Sequence, residues 1–166
     1  SSNIGTIKIA EKLGKVDFYR YMRDFGFGMK TDVGLDGEIS GRLQKIEKWS
    51  AISLSAMSIG QEMSVNALHM AQAYAVIANG GILIKPRVLK AFLNEKLEVG
   101  TSFNSKEIRR VISKSTADTM RSMLYTTVKY GTGKKAFERD IEIAGKTGKA
   151  QIYDVEKGEY ASGRVV

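Results

Sequence analysis

The stretch SIGQEMSVNALHMAQAYAVIANGG, residues 58–81, carries the clearest structural signal in the sequence. Asn66 belongs to the residue types that cap helix N-termini, and the Asn-Gly-Gly sequence at 79–81 is typical of a helix end. The residues between them, ALHMAQAYAVIA, are apolar almost all the way round a helix. Because such a helix is normally enclosed by other structure, the stretch predicts a central core helix over residues 66–78.

Shorter patterns on both sides of this helix predict a mixture of helices and extended segments. Apolar residues at three- and four-residue spacing indicate three more helices, at residues 6–13, 17–25 and 115–128. Residues 82–92 and 141–153 have the composition of extended segments, and Pro86 confines the first of them to a sheet edge or a strand end. Because a lone strand leaves its backbone groups unpaired, we expect most sheet partners of residues 141–153 to lie outside this sequence.

The composition is that of a folded globular core, with 43% hydrophobic residues in a chain of 166. The absence of cysteine excludes disulfides, and with His69 as the single histidine we expect neither a transition metal nor another cofactor. His69 lies within the predicted core helix, so we expect it to be structural. No apolar run approaches the roughly 20 residues of a bilayer-spanning helix, so the anchor or signal of a membrane-bound parent would lie outside these residues.

The net charge of +8 is compatible with an anionic partner, but its distribution argues against nucleic acid. Lysines and arginines are scattered from Lys8 to Arg164, and only two pairs of them are adjacent, at 109–110 and 134–135. This pattern is typical of solvated surface charge. A basic helical nucleic-acid binder is the alternative, and failure to bind DNA at low salt would remove it.

Two short groups of residues have the types needed for chemistry. Ser1, Ser2 and Asn3 precede a predicted helix, where such residues are usually caps, and Lys146, Thr147 and Gly148 lie in a predicted strand. The second group also resembles the end of a phosphate-binding loop. That motif needs a glycine at position 140, where this sequence has Asp140, and it needs a following helix that is not predicted.

Taken in chain order, the two groups resemble the S-x-N and K-T-G motifs of serine-acylating enzymes of the penicillin-binding and β-lactamase type. The resemblance extends over essentially the whole chain. The segments SSNIGTIKIAEKLG, SIGQEMSVNALHMAQAYAVIANGG, GTGKKA and AGKTGKAQ follow one another as in class B penicillin-binding proteins. The segment EKWSAISLSAMSIGQ, residues 47–61, is similar to the cell-division branch of that class.

The resemblance implies catalytic roles for Ser1, Asn3 and Lys146. In the family pattern, Ser1 joins a proton relay, and Asn3 holds both that relay and the substrate amide. Lys146 and Thr147 present a positive charge and a hydroxyl group to the carboxylate of the peptide or β-lactam. These roles agree with acyl transfer, which needs a nucleophile with a base, a proton path to the leaving amine and positive charge for the substrate.

The resemblance also implies that Gln61, Thr132, Gly148 and Lys149 bind substrate at the edges of the cleft. Gly148 leaves the strand edge open, since a side chain there would crowd an extended ligand. Lys149 departs from the family pattern, which usually has threonine or serine, and this puts ordinary β-lactam affinity in doubt. A larger departure is that no serine in the chain has a lysine three positions later. We expect the S-x-x-K nucleophile to precede Ser1 in the parent protein.

We therefore expect an incomplete α/β (α+β, three-layer) transpeptidase fold, with a helical lobe plus part of an antiparallel sheet. Residues 1–166 would form a partial transpeptidase domain, in which 1–130 are mainly the helical lobe and 131–166 hold the turn and the K-T-G strand. The expected parent is a D,D-transpeptidase that cross-links peptidoglycan and binds stem peptides and β-lactams. The resemblance implies an inner-membrane anchor, a periplasmic catalytic domain and cell-division partners. The alternative is a non-catalytic module that binds peptidoglycan or β-lactams.

Overall fold

The computed structural model describes residues 2–148 and the backbone of residues 151–154 and 159–165. Its helices are α1 (Asn3–Leu13), α2 (Lys15–Asp24), α3 (Ser53–Ser58), α4 (Ala67–Ala78) and α5 (Lys114–Tyr130), with short 3-10 turns at Ile46–Lys48 and Lys134–Ala136. Its strands are β1 (Ile82–Lys85), β2 (Ala91–Leu93), β3 (Val99–Ser102), β4 (Lys106–Arg110), β5 (Gln151–Asp154) and β6 (Glu159–Val165). No helix in the described residues is long and apolar enough to cross a lipid bilayer.

The helix predicted from residues 58–81 is α4, and its two ends are those expected from the sequence. The Asn66 side chain accepts a hydrogen bond from the backbone N–H of His69 at 2.8 Å, and the chain leaves the helix at Asn79. The three other predicted helices, α1, α2 and α5, begin at residues 3, 15 and 114, earlier than their predicted starts at 6, 17 and 115. Ser2 caps α1 and Ser113 caps α5, each by accepting a backbone N–H, so these two helices start directly after their caps rather than at the first apolar residue.

The core forms where α4 packs against β1 and α5. Val76 of α4, Leu83 of β1 and Val128 of α5 are at most 2% exposed there. The prediction that α4 is enclosed on all sides is wrong for the described part of the chain, because Met70 is 41% and Tyr74 is 37% exposed. The helix packs through one face, and its opposite face is open.

Within the described residues the strands form three separate antiparallel pairs, β1 with β4, β2 with β3, and β5 with β6. Residues 82–92 are therefore not one extended segment: β1 ends at Lys85, before Pro86, and β2 begins at Ala91. The strand predicted over residues 141–153 does not extend through residues 142–148, which belong to no strand, whereas β5 at Gln151–Asp154 pairs with β6 of this same chain. Alternating composition indicates an extended backbone, but a strand also needs a neighbour, which residues 142–148 lack among the described residues.

His69 is a structural residue, as expected, and lies 1% exposed at the start of α4. Its Nδ1 accepts the backbone N–H of Asn66 at 3.2 Å, which completes the helix cap. Its Nε2 lies 2.7 Å from the carbonyl oxygen of Met29, so it must be the protonated nitrogen and donate there. Both ring nitrogens are thus committed to holding the loop after α2 against α4.

That loop is closed by the carboxylate of Glu38, which accepts the backbone N–H of Thr31. Thr31 is buried, and Asp32 next to it has a positive φ of 55°, a conformation that turns the chain around the carboxylate. Interaction with the Thr31 side chain, together with hydrogen bonds from the backbone N–H groups of residues 31–33, holds the pKa of Glu38 below its ordinary value of 4.5, against the opposing effect of desolvation.

We expect the substitution Glu38→Gln to lower stability at neutral pH and to have less effect in acid. A depressed folded-state pKa stabilises the fold above the ordinary pKa, and this contribution is lost as the pH falls through the folded-state value. Urea unfolding of both proteins between about pH 7 and pH 3 measures the difference. Asp36→Asn, on the same loop and exposed, is the matched control. A difference between wild type and Glu38→Gln that does not shrink below about pH 4 would contradict this account.

Candidate functional site

A groove of about 730 Å³ lies between the start of α1, the end of α3 and the segment after α5. Its described lining residues are Asn3, Ile59, Gln61, Thr132, Lys146, Thr147 and Gly148. The two motifs from opposite ends of the chain therefore share one cleft. Six of the eight residues predicted from the sequence line it, and the other two, Ser1 and Lys149, lie outside the described residues.

Asn3 reaches the groove because it is the first residue of α1. Ser2, immediately before it, is the helix cap, since its side chain accepts the backbone N–H of Gly5 at 3.2 Å. The capping interaction fixes the N-terminal turn of α1 and so sets the position of the Asn3 side chain. The same cluster thus supplies both a helix cap and a residue that lines the groove.

Gln61 and Ile59 enter the groove from the turn that ends α3, which packs against α1. Gly60 between them has a φ of 90°, and the backbone N–H of Gln61 donates to the carbonyl of Ala56 at 3.0 Å. This turn brings both side chains to the cleft. Sequence reasoning missed Ile59, although it lies two residues before the predicted groove residue Gln61.

The opposite wall is held by the C-terminal half of α5. The backbone N–H groups of Gly131 and Gly133 both donate to the carbonyl of Thr127, at 3.0 and 3.1 Å, which fixes the turn that carries Thr132. The backbone N–H of Gly145 donates to the carbonyl of Leu124 at 3.2 Å, which fixes the segment that leads into Lys146. One helix therefore anchors both segments of this wall.

Lys146 supplies the positive charge of the groove. Its Nζ donates to the carbonyl oxygen of Thr147 at 2.7 Å and lies 3.4 Å from the Thr147 hydroxyl oxygen. Within the described residues no carboxylate lies within ion-pair distance of Lys146, and none lines the groove. An ammonium group has three protons, so Lys146 keeps donor capacity for a ligand. The groove is thus suited to an anion.

Gly148 is placed at the open side of the groove. A Cβ atom built at this position would meet no described atom within 4 Å, and its φ is not in the left-handed region. Neither packing nor backbone strain within the described residues therefore requires glycine here. The residue leaves room beside the backbone, as expected for a surface that receives an extended ligand.

The described part of the chain contains no cluster of three or more histidine, cysteine, aspartate or glutamate residues that could hold a metal ion. The described lining residues offer two side-chain amides, two hydroxyl groups and one ammonium group. These groups can bind and orient an anionic, amide-containing ligand. A nucleophile with a base is not among the described lining residues.

Comparison with known proteins identifies the family. A family model described as the penicillin-binding protein transpeptidase domain matches residues 1–166. The chain belongs to the penicillin-binding protein transpeptidase family. This transpeptidase chain is 42% identical over 167 residues to penicillin-binding protein PbpB of Mycolicibacterium smegmatis, covering 96% of the chain and 26% of that relative. It is 34% identical over 152 residues to the probable peptidoglycan D,D-transpeptidase PbpC of Pseudomonas aeruginosa, covering 91% of the chain and 25% of that relative.

The solved structures agree on the fold. Penicillin-binding protein 3 of Mycobacterium tuberculosis, in its complex with ampicillin, matches with a TM-score of 0.88 and 35% identity, covering 97% of the chain and 37% of that structure. The expected fold class is therefore confirmed: this is a penicillin-binding protein and β-lactamase-like α/β transpeptidase fold, present in part. The transpeptidase chain spans about a quarter of the length of the curated relatives it matches.

Proposed function

We propose that this chain is part of a peptidoglycan D,D-transpeptidase and that its groove binds the carboxylate end of a stem peptide or a β-lactam. The main support for the proposal is that Asn3, Lys146 and Thr147 line the same groove. The described residues that line it include a cation and no carboxylate. The names of the relatives support the same activity, since one is a probable peptidoglycan D,D-transpeptidase and two are penicillin-binding proteins.

In the proposed reaction, a serine oxygen attacks the carbonyl carbon between the two terminal D-alanines of a donor peptide. The amide bond breaks, the leaving nitrogen takes a proton, and D-alanine departs. An amine of a neighbouring stem peptide then attacks the acyl-enzyme ester, loses a proton and releases the serine. The attacking serine and its lysine are supplied by residues outside these 166, because the chain has no S-x-x-K sequence.

The residues of this chain have binding and orienting roles in that reaction. Lys146 neutralises the terminal carboxylate of the donor, and the Thr147 hydroxyl donates to the same carboxylate. Asn3, whose amide group both donates and accepts, holds the substrate amide next to the scissile bond. Ser1 is assigned to the proton relay and Lys149 to substrate binding by family resemblance alone.

We further propose that the whole protein acts in cell division and binds other division proteins. We place its membrane anchor outside these residues, in the bacterial inner membrane, with the catalytic domain on the periplasmic side. Residues 47–61, which are similar to the cell-division branch of the family, support this proposal. The proposed partition of the chain, with a helical lobe up to residue 130 and a turn and K-T-G region beyond it, stays a prediction.

Labelling with a fluorescent penicillin tests the function directly. We expect the longer parent protein, which carries the nucleophile, to become covalently labelled, and we expect the 166-residue chain to stay unlabelled under the same conditions. Covalent labelling of the short chain would contradict the absence of a nucleophile in it. A parent that lacks an S-x-x-K sequence and binds penicillin reversibly would overturn the enzyme proposal in favour of a non-catalytic binding module.

A further inference from the structure

Thr132 brings a second hydroxyl group to the groove, next to that of Thr147. The two hydroxyl oxygens lie 3.1 Å apart, which is hydrogen-bonding distance, and either can be the donor. A hydroxyl group has one proton and two lone pairs. The direction of this hydrogen bond therefore decides what Thr147 offers to a ligand. If Thr147 donates to Thr132, it presents only a lone pair, which an anion avoids.

The surroundings of Thr147 favour the opposite direction when an anion is bound. Nζ of Lys146, 3.4 Å away, is a donor without acceptor capacity and interacts with one lone pair of the Thr147 oxygen. A proton from Thr132 would occupy the other lone pair. With both lone pairs occupied, Thr147 could bind a ligand only by donating its own hydroxyl proton. The hydrogen bonds that its oxygen accepts make this hydroxyl group a stronger donor.

The position of Thr132 is fixed by the turn that carries it. A Cβ atom at Gly131 would lie 2.8 Å from the carbonyl oxygen of Thr127, and one at Gly133 would lie 3.1 Å from Cα of Val128. Val128 is 2% exposed, so it cannot move aside without disturbing the core. The two glycines thus let the turn lie directly on α5 and hold Thr132 next to Thr147.

We propose that Thr132 is a positioning residue that donates its hydroxyl proton to Thr147 and thereby directs the Thr147 proton to the carboxylate of a bound ligand. The inference rests on the proposed function, because it needs a carboxylate in the groove. The inference replaces the role expected from the resemblance, in which Thr132 binds substrate directly. Here Thr132 acts through Thr147 and does not touch the ligand.

The test measures equilibrium binding of benzylpenicillin and of its methyl ester to the chain and its variants, by calorimetry or ligand-detected NMR. We expect Thr132→Val, which keeps the branched shape and removes the hydroxyl group, to weaken binding of the acid about tenfold and to leave the ester unaffected. Thr132→Ser should restore binding to within about twofold of wild type, since the hydroxyl group returns. Thr126→Val is the matched control and should bind normally, because Thr126 is exposed on α5, donates its hydroxyl proton to the carbonyl oxygen of Ser122 and does not line the groove.

The variants separate this inference from the proposed function. Equal binding of acid and ester by the wild-type chain, or binding of neither, would overturn the carboxylate-binding groove and the inference with it. Normal acid binding by Thr132→Val, or equal losses in the valine and serine variants, would overturn only the role of Thr132. Circular dichroism checks that each variant is folded. If Thr132→Val does not fold, a comparison of Thr132→Ala with Thr132→Ser still measures acid binding without and with a hydroxyl group at this position.

Discussion

The substitution Gly81→Ala is expected to lower the free energy of unfolding by about 3 kcal/mol or more. Gly81 joins the end of α4 to β1 and lies against the segment before α5, and its φ is 102°, which L-residues rarely adopt. A Cβ atom there would lie 2.1 Å from the carbonyl oxygen of Ile112. The backbone cannot simply move away, because the Gly81 carbonyl accepts the N–H of Val111 at 2.8 Å and its own N–H donates to Val76 at 2.7 Å.

Gly80→Ala is a matched control for this prediction. Gly80 also has a positive φ, of 83°, but a Cβ atom there would meet only the Lys114 side chain, at 3.5 Å. We expect a loss of about 1 kcal/mol, which is the cost of the left-handed backbone alone. Urea unfolding followed by far-UV circular dichroism measures both losses. Similar values for the two variants would show that the contact with Ile112 does not matter.

Lys146→Met is expected to weaken binding of benzylpenicillin to the chain by about 10- to 100-fold. Methionine keeps the length of the side chain and removes the ammonium group, which is the only cation among the described lining residues. A hydrogen bond between charged groups contributes about 1.5–3 kcal/mol, which corresponds to this range. The methyl ester should bind equally to both proteins, because it carries no charge for Lys146 to neutralise.

Lys135→Met provides the control for overall charge. Lys135 is exposed in the short 3-10 turn Lys134–Ala136, and it does not line the groove. Both variants lose one positive charge, so a long-range electrostatic effect would weaken binding in both. Equal losses in the two variants, or a loss of ester binding by Lys146→Met, would refute a direct contact between Lys146 and the carboxylate.

The sequence predicts local structure well where the signals are local. Asn66 and the residues at 79–81 mark both ends of α4, because a cap acts on backbone groups within a few residues of itself. Residues 142–148 show the limit. Their composition indicates an extended chain, but they form no strand in the structure. A strand also requires a partner, and partners are set by distant parts of the chain. The open face of α4 likewise depends on what packs against it.

The candidate site was predictable mainly through resemblance. By residue type alone, Asn3 belongs to a cluster of the kind that caps helices, and Lys146 is an ordinary surface lysine. No pattern in the sequence around either residue indicates that the two lie close together. Only the order of several segments that resemble the family predicted that Asn3 and Lys146 lie together, and in the structure both residues line one groove. Ile59 was missed because an aliphatic residue carries no chemical signal, and the contact of Thr132 with Thr147 depends on the distance between two side chains.

Because α5 anchors one wall of the groove, that wall keeps its shape only while the end of the helix stays folded. The carbonyl groups of Leu124 and Thr127, in the last two turns of the helix, hold the two segments that carry Lys146 and Thr132. Helix ends open more often than helix centres, through local unfolding events that cost less than global unfolding. Fraying of α5 back to Leu124 would release both segments in a single event, so amide exchange at Gly133 and Gly145 should report the same free energy of opening.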